Sequence, residues 1–457
     1  MNVTYSYTHC RFGVSTRDVT PPVGIYARSW GAATHDAAEG VHRPFAATAA
    51  AFAPIAGDGP TLALVAVDLG WFQYAPDERQ LRETVLRATG LDEAALLINM
   101  SHTHAGANLN SRLADKPGGE LIQPYLEHLT EQIGAAILEA LAGLAPAWVT
   151  YGTGRCALAA NRDLWDADAE RFAAGYNPDA PADDTLVVAT VTGEEGEPRA
   201  TLFNYACHPT TLAWENRLLS PDYIGAARDV LEQAFGAPAL FLQGASGELA
   251  PRDDYVGDPV VADRNGRQLG HAAAAAIESL PPPATRFVYT GIVASGANLG
   301  TWAYEQCDPG QVRVSEQLAA GVTHVELARK ENLGVIDSLS GPDSVQEREK
   351  TLRRRFLDEA LGDSPVHAMP IWTWRLGGAL LVAIPNEPYS VLQVELRRRL
   401  GGTPVLVLGV TNRTIGYLCP AETYDTGLYQ EQQSPFAPGC LEQTIEATAL
   451  ALEELRP

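Results

Sequence analysis

Three histidines have the spacing and surroundings of a chemical site. His102 and His104 stand in the segment SHTH, which directly follows the apolar run ALLINM. Side chains two residues apart in an extended segment point to the same side, so both imidazoles could face one pocket. His208 follows a second apolar run, LFNYAC. Imidazole is a common metal ligand, but an isolated HxH pattern also occurs in proteins that bind no metal, and both interpretations stay open.

A glutamate and a group of tyrosines also occupy positions where chemistry is possible. Glu387 follows the apolar run ALLVAIPN and is flanked by two prolines, which is an unusual place for a solubilising carboxylate. The alternative is an ordinary loop or helix-capping glutamate. Tyr417, Tyr424 and Tyr429 lie in the segment NRTIGYLCPAETYDTGLYQ. Tyrosines there belong either to a site or to the amphipathic margin of a core, and spacing alone does not decide.

The segments that must position these residues alternate between strands and helices. The apolar runs in TLALVAVDLGWF and ALLINM predict buried strands, and PDERQLRETVLRATG between them predicts a helix that ends at Gly90. The same order recurs in ATLFNYACHPTT, SPDYIGAARDVLEQAFG and APALFLQGASGELAPR. We therefore predict an α/β fold with a mixed β-sheet core covered by helices. Its site should lie where loops leave the carboxyl ends of the strands.

The remaining chain adds elements without indicating a second unit. The stretch from Thr301 to Leu361 is charged and is predicted to be helical, with QEREKTLRRRFLDEAL as a solvated helix. The last third predicts strands in WTWRLGGALLVAIPNEPYS and TPVLVLGVTNRTIGYLCP, and then the helix LEQTIEATALALEELR. Because we find no internal repeat and no linker rich in Ser and Gly, we predict one catalytic domain over residues 1–457.

Composition narrows the class of protein and its partners. The chain has 457 residues, 46% of them hydrophobic, which is enough for a large core. A net charge of -23 argues against nucleic acid and anionic membranes as partners. The N-terminus does not resemble a secretory signal, no apolar run is long enough to span a bilayer, and the six cysteines form no CxxC pair. We expect a cytoplasmic protein with reduced thiols, and the sequence does not indicate its oligomeric state.

Taken together, the motifs resemble the neutral/alkaline ceramidase family of zinc amidases. The resemblance extends from about Gly13 to Tyr429, and it depends on the order of the motifs more than on any one of them. The motifs are DVTPPVG, VAVDLG, SHTHAG, the pair Asn161 and Arg162, NYACHPT, SPDYIG, LQGASGELAP, IPNEP, and a GY dipeptide with a second tyrosine twelve residues later.

The resemblance implies a zinc site and a set of catalytic residues. Its implied zinc ligands are His102, His208, Glu387 and Tyr417, a set of nitrogen and oxygen donors that leaves room for water. Water activated by zinc would then attack a carbonyl carbon. The remaining implied roles fall to His104 as the proton acceptor, Arg162 and Tyr429 as donors to the developing oxyanion, and Asp68 as a pocket residue that orients a histidine or the substrate.

Two departures from the family bear on mechanism and substrate. Where ceramidases carry a serine in the GDxSP motif, this chain has Ala250 in GELAP, so an attack by water is expected rather than an attack by serine. Ser246, four residues earlier, is interpreted as a turn residue. The chain also ends too soon after Tyr429 for the C-terminal β-sandwich domain of ceramidases. We therefore expect a small soluble substrate and no stable membrane association, so the chain is not expected to be a true ceramidase.

Three functions are compatible with these residues. The leading one is a zinc-dependent amidohydrolase that cleaves an N-acyl or peptide-like amide in a small organic substrate. A zinc lactonase or esterase would use the same chemistry on another carbonyl. A ligand-binding protein that retains zinc without turnover is the alternative from another class, and it is raised by Ala250. Substrate choice should reside in the loops over residues 24–44, 108–120 and 165–183.

Overall fold

The computed structural model describes residues 1–57, 59–330 and 355–456. Its helices are α1 (Ala75–Thr89), α2 (Ile122–Ala142), α3 (Tyr223–Phe235), α4 (Pro259–Glu278), α5 (Pro309–Ser315), α6 (Val391–Arg399), α7 (Tyr429–Gln433) and α8 (Cys440–Glu454). Residues 355–361 are also helical.

The strands are β1 (Asn2–Val3), β2 (Tyr7–Asp18), β3 (Gly40–Val41), β4 (Ala46–Ala53), β5 (Leu62–Val67), β6 (Leu96–Met100), β7 (Ala145–Arg155), β8 (Ala159–Asn161), β9 (Asp163–Asp166), β10 (Arg171–Ala174), β11 (Thr185–Gly193), β12 (Pro198–Tyr205), β13 (Leu218–Leu219), β14 (Ala239–Gln243), β15 (Leu249–Pro251), β16 (Thr285–Ala294), β17 (Asn298–Gln306), β18 (Leu318–Ala328), β19 (Val366–Leu376), β20 (Ala379–Ala383), β21 (Glu387–Pro388), β22 (Val405–Leu408) and β23 (Tyr417–Leu418).

Two mixed sheets form the centre of the molecule. The larger has eight strands in the order β14-β12-β11-β7-β2-β4-β5-β6, and the smaller has four in the order β18-β19-β20-β22. The pairs β5–β6, β12–β14 and β20–β22 are parallel, whereas the other pairs in these sheets are antiparallel. The predicted α/β fold with a mixed sheet is confirmed.

The two sheets pack face to face, and helices cover their outer faces. Phe52 and Leu202 of the large sheet share one buried cluster with Trp374 and Leu381 of the small sheet. The outer face of the large sheet is covered by α1 and α2 on one half and by α3 and α4 on the other. Helices α6 and α8 cover the small sheet. Because the central strands are covered on both faces, they appear as continuous apolar runs such as LALVAV and ALLVA.

Helix boundaries follow from local chemistry. Gly90 caps the C-terminus of α1 and Gly236 caps that of α3, and both glycines have the left-handed backbone conformation, with φ of 69° and 66°. Glycine adopts this conformation without a steric penalty, so it commonly terminates helices. The predicted helices between these strands therefore occur with nearly the predicted ends.

One stretch differs from its predicted structure. Residues 301–328 consist mainly of strands β17 and β18 with the short helix α5 between them, and not of a continuous helix. β18 pairs along its whole length with β19, so tertiary pairing overrides the local charge pattern. Residues 355–361 of the predicted charged helix are helical, and the rest of that segment lies outside the described residues. Among the described helices, none has the length and hydrophobicity needed to cross a bilayer.

Candidate active site

The predicted site residues leave the sheets at a shared edge. His102 comes two residues after the end of β6, and His208 comes three residues after the end of β12. Asn99 of β6 accepts a hydrogen bond of 2.9 Å from the backbone N–H of Gln243 in β14, although these strands lie at opposite ends of the sheet order. The large sheet thus brings the carboxyl ends of its two edge strands together, and the loops that follow them converge.

Glu387 and Tyr417 are brought side by side by a short strand pair. β21 and β23 run parallel in a register that places Glu387 opposite Tyr417. The backbone N–H of Glu387 donates to the carbonyl oxygen of Gly416 at 3.1 Å. This pairing fixes two side chains that are thirty residues apart in the sequence on the same side of the site.

Four donor groups meet around one point. Oε2 of Glu387 lies 3.1 Å from Nε2 of His102 and 3.1 Å from Nε2 of His208. The phenol oxygen of Tyr417 lies 3.4 Å from Nε2 of His208. These side chains are buried, with His208 fully so. The four residues that the resemblance implies as zinc ligands are therefore together in the fold.

The second histidine of SHTH belongs to the same group. Ring nitrogens of His102, His104 and His208 lie within 4.8 Å of one another, and such a group could hold a metal ion. The ring of His104 also packs against Trp71 and Trp30, with centroid distances of 4.8 and 5.2 Å. By position alone, His104 can act either as a further ligand or as a proton acceptor next to the metal.

The backbone around His102 is strained. His102 has a φ of 67°, which residues other than glycine seldom adopt. Its backbone N–H donates to the carbonyl oxygen of Leu69 at 2.8 Å, and this bond holds the turn. Strain of this kind costs about 1–3 kcal/mol and is concentrated at functional sites.

The tautomer of His208 favours a ligand role. Nδ1 lies 2.6 Å from the backbone carbonyl oxygen of Ser246, which can only accept, so Nδ1 carries the proton. Burial, together with the nearby Arg162, lowers the pKa of His208 to about 3, so the ring stays neutral. Nε2 therefore directs a lone pair toward the Glu387 carboxylate. Two electron-rich atoms 3.1 Å apart repel each other unless a proton or a cation lies between them.

The charges of Glu387 and Tyr417 also fit a cation bound in this cluster. Burial by itself opposes ionisation of Glu387, but the adjacent His102 holds the pKa of Glu387 well below its usual range. Burial and the Glu387 charge raise the pKa of Tyr417 well above its usual value. A bound cation would oppose that effect on the phenol, because it stabilises the negative form. Nε2 of His102 has no hydrogen-bond partner of good geometry among the described residues.

Arg162 supports this cluster from behind. Its guanidinium donates to the carbonyl oxygen of Gly247 at 2.7 Å and to the phenol oxygen of Tyr417 at 3.2 Å, and it also lies 3.3 Å from Nε2 of His208. Tyr429 packs edge-on against Tyr417, with ring centroids 6.0 Å apart. Neither Arg162 nor Tyr429 lines the cavity beside the cluster. The structure thus brings both residues to the site, in contact with Tyr417.

Asp68 is placed elsewhere. Its carboxylate accepts hydrogen bonds from Arg228 at 2.8 Å and from the backbone N–H of Ala46 at 2.9 Å. It does not line the cavity, and the structure does not bring it into a hydrogen bond with a described histidine. Its buried ion pair with Arg228 joins the end of β5 to α3, so the role of Asp68 in this structure is to hold these two elements together.

A cavity of about 260 Å³ opens onto the cluster. Four of the predicted residues line it, namely His102, His104, Glu387 and Tyr417. Two of the three predicted specificity loops contribute, through Tyr26 and Arg28 and through Asn108 and Lys116. The third loop, residues 165–183, contributes no lining residue.

Several lining residues were not predicted from the sequence. Trp71 contacts both histidines of SHTH, with ring centroids 5.3 Å from His102 and 4.8 Å from His104. Because Trp71 immediately follows the VAVDLG motif, its position in the sequence could have identified it as a pocket residue. Glu78 and Arg413 also line the cavity; Arg413 lies in the tyrosine-bearing segment NRTIGYLCPAETYDTGLYQ, but neither residue was singled out from the sequence.

A mixed α/β fold with buried histidines and a carboxylate at its strand ends is typical of metal-dependent hydrolases. The sequence profile described as "neutral/alkaline non-lysosomal ceramidase, N-terminal" matches residues 10–248, more than half of the chain. The chain therefore belongs to the neutral/alkaline ceramidase family. Membership in this family supports a hydrolase of amide bonds.

Solved structures agree on the fold. A structure described as "ceramidase complexed with C2" has a TM-score of 0.69 and 19% identity, covering 99% of this chain and 76% of that one. The neutral ceramidase from Pseudomonas aeruginosa has a TM-score of 0.67 and 20% identity, covering 99% of this chain and 75% of that one. The sequence matches no curated protein. At these identities the structures show a shared fold.

Proposed function

We propose that this protein is a zinc-dependent amidohydrolase that cleaves an N-acyl or peptide-like amide in a small organic substrate. The observation that carries the proposal is the position of Oε2 of Glu387, 3.1 Å from Nε2 of both His102 and His208. Because the carbonyl of Ser246 fixes the proton of His208 on Nδ1, Nε2 of His208 is available as a ligand.

His102, His208, Glu387 and Tyr417 would hold the zinc ion. Two imidazoles, a carboxylate and a phenol form a nitrogen and oxygen donor set that suits zinc and leaves a position open for water. When bound, zinc would supply a Lewis acid and make water available as a nucleophile near neutral pH.

The other residues of the site would bind the substrate and move protons. His104 lines the cavity and lies next to the proposed ligands, so it would accept the proton of the attacking water and deliver it to the leaving nitrogen. Arg162 would keep Tyr417 in place through its 3.2 Å hydrogen bond. It and Tyr429 remain our proposed donors to the negative oxygen that develops on the substrate.

A metal analysis combined with an activity assay tests this proposal. Protein purified without added metal should contain about one zinc per chain, and removal of the zinc should abolish hydrolysis of amides. The substrates should include an aryl acetamide and a short-chain ceramide as well as polar amides. Full activity in protein without stoichiometric transition metal would rule the proposal out.

A further inference from the structure

Glu78 and Arg413 are two of the charged side chains that line the cavity without serving the proposed zinc site. Glu78 lies in the first turns of α1, and Arg413 lies in the loop between β22 and β23. Neither forms a hydrogen bond or an ion pair with the proposed ligands. They share the cavity with the reacting groups, so a substrate bound there would meet both.

Glu78 is a buried acid without a hydrogen-bond partner among the described residues. Its exposed fraction is only 5%, yet its carboxylate forms no hydrogen bond or ion pair with a described residue. The neighbouring Arg82 does not serve as its partner, because that guanidinium donates to the carbonyl oxygens of Leu96 and Glu93 and to Asn412. Burying an unpaired carboxylate is costly, and here burial raises the pKa of Glu78 to about 7.

Arg413 is a positively charged side chain that lines the same cavity as Glu78. Its half-buried guanidinium faces the cavity and forms no hydrogen bond or ion pair within the described part of the chain. It is nevertheless close enough for its charge to act on Glu78. By contrast, Arg28, another cation of the cavity wall, is held by Asp36 and by the carbonyl oxygen of Gly31 at 3.1 Å each.

A ligand with a single charge would satisfy only one of these groups. An ammonium beside Glu78 would also meet the positive charge of Arg413, and a carboxylate beside Arg413 would meet the negative charge of Glu78. A ligand that carries both charges satisfies both groups through charge-assisted hydrogen bonds and adds no net charge to the cavity. The volume of about 260 Å³ suits such a compact ligand and lies just below the roughly 300–1,000 Å³ typical of ligand pockets.

We propose that the substrate carries an α-amino acid head group, whose ammonium binds Glu78 and whose carboxylate binds Arg413. The proposal rests on the amidohydrolase function above. With the head group held there, the scissile amide lies on the amino acid side chain and reaches the histidine and glutamate cluster. Water adds to the acyl carbon, the carbon–nitrogen bond breaks, and a carboxylic acid and a free diamino acid are released.

A panel of matched amides tests the head group directly. The zwitterionic members are Nδ-acetylornithine and Nε-acetyllysine. The comparison compounds are 6-acetamidohexanoate, which lacks the ammonium, N-acetylcadaverine, which lacks the carboxylate, and N-pentylacetamide, which lacks both. We expect kcat/KM for the better zwitterion to exceed that of each comparison compound by about tenfold or more, the value of one hydrogen bond to a charged group. Equal kcat/KM for N-pentylacetamide and the zwitterions would overturn the proposal.

Two variants assign each charge to its residue. Glu78→Gln should remove the advantage of the ammonium and preserve that of the carboxylate, whereas Arg413→Gln should do the reverse. Glu83→Gln on the exposed side of α1 and Arg87→Gln near its end are the matched controls, and both should behave as the wild type. Zinc content and thermal midpoint are measured for every variant. A loss of the same size on all five amides in a folded, zinc-loaded Glu78→Gln protein would contradict the assignment.

Binding without turnover separates this inference from the proposed function. Calorimetry on zinc-depleted protein should show Nε-acetyllysine binding at least about tenfold more tightly than N-pentylacetamide. If zwitterions bind in this way and no amide is cleaved by the zinc-loaded protein, the inference stands and the amidohydrolase fails. If an aryl acetamide or a short-chain ceramide is cleaved and zwitterions neither bind nor react preferentially, the function stands and the inference fails.

Discussion

Nε2 of His208 and Oε2 of Glu387 lie 3.1 Å apart, although 179 positions separate the two residues in the sequence. The 2.6 Å contact of Nδ1 with the carbonyl of Ser246 assigns the imidazole proton to the opposite side of the ring. A neutral, buried imidazole that directs its lone pair at a carboxylate is electrostatically unfavourable when nothing lies between the two groups. The same geometry is favourable when His208 and Glu387 bind a shared cation.

The first prediction concerns metal binding. Glu387→Gln and His208→Ala should each lower the zinc content well below one per chain, because each removes a donor from the cluster. Purified protein is analysed by inductively coupled plasma mass spectrometry, and His128→Ala, an exposed histidine on α2, is the control. Zinc content near that of the wild type in both variants would contradict the ligand assignment.

The second prediction separates His104 from the ligands. His104→Ala should keep its zinc and lose about 10²–10⁴ in kcat, the range expected when a general acid–base is removed. His102→Ala should lose the metal itself. Because all three histidines lie within 4.8 Å of one another, the structure permits the opposite assignment. Loss of zinc in His104→Ala combined with retention in His102→Ala would establish it.

The third prediction concerns the absence of an acyl-enzyme. Ala250 has no hydroxyl, and Ser246 contacts His208 chiefly through its backbone carbonyl, which a substitution leaves in place. Ser246→Ala should therefore keep most of the activity. Hydrolysis in ¹⁸O-labelled water should transfer one solvent oxygen to the acid product. A kinetically competent acyl adduct on Ser246, seen by rapid quench and mass spectrometry, would instead establish a serine nucleophile.

The fourth prediction is that the stability of the protein depends on pH because of the titration of Glu248. This carboxylate accepts hydrogen bonds from the backbone N–H and the hydroxyl of Ser390, yet burial raises its pKa to about 7 from an ordinary 4.5. The unfolded chain ionises at the lower value, so the contribution of Glu248 to stability is complete below pH 4.5 and is lost as the pH rises through about 7.

Denaturant unfolding of the wild type and Glu248→Gln at about pH 5 and about pH 8 measures this effect. The wild type should lose on the order of 3 kcal/mol relative to the variant across that interval. Glu83→Gln, at an exposed position of α1, should show no such difference. Parallel pH profiles for the wild type and Glu248→Gln would show that Glu248 does not titrate in this range.

Much of the local structure could be predicted from the sequence. The runs LALVAV, LLINM and ALLVA are uninterrupted because both of their faces are covered, and glycines 90 and 236 mark helix ends because they adopt positive φ. The positions of His102 and His208 just after strands also follow from the chain itself. Order and spacing of the motifs were sufficient to identify the family.

The contacts between distant segments could not be predicted in this way. The register that sets Glu387 beside Tyr417, the packing of the two sheets and the pairing of Asp68 with Arg228 depend on which elements meet. β18 is a strand although the charge pattern predicts a helix there, because it pairs with β19 along its whole length. Hydrophobic periodicity records whether a side chain faces the core or the solvent, but it carries no information about the segment that packs against it. For that reason, the sequence by itself determined the strands, the helix ends and the candidate histidines. The family resemblance implied the four members of the metal-type cluster, but only the tertiary structure decided the distances between them and which charges, Glu78 and Arg413 among them, face the cavity.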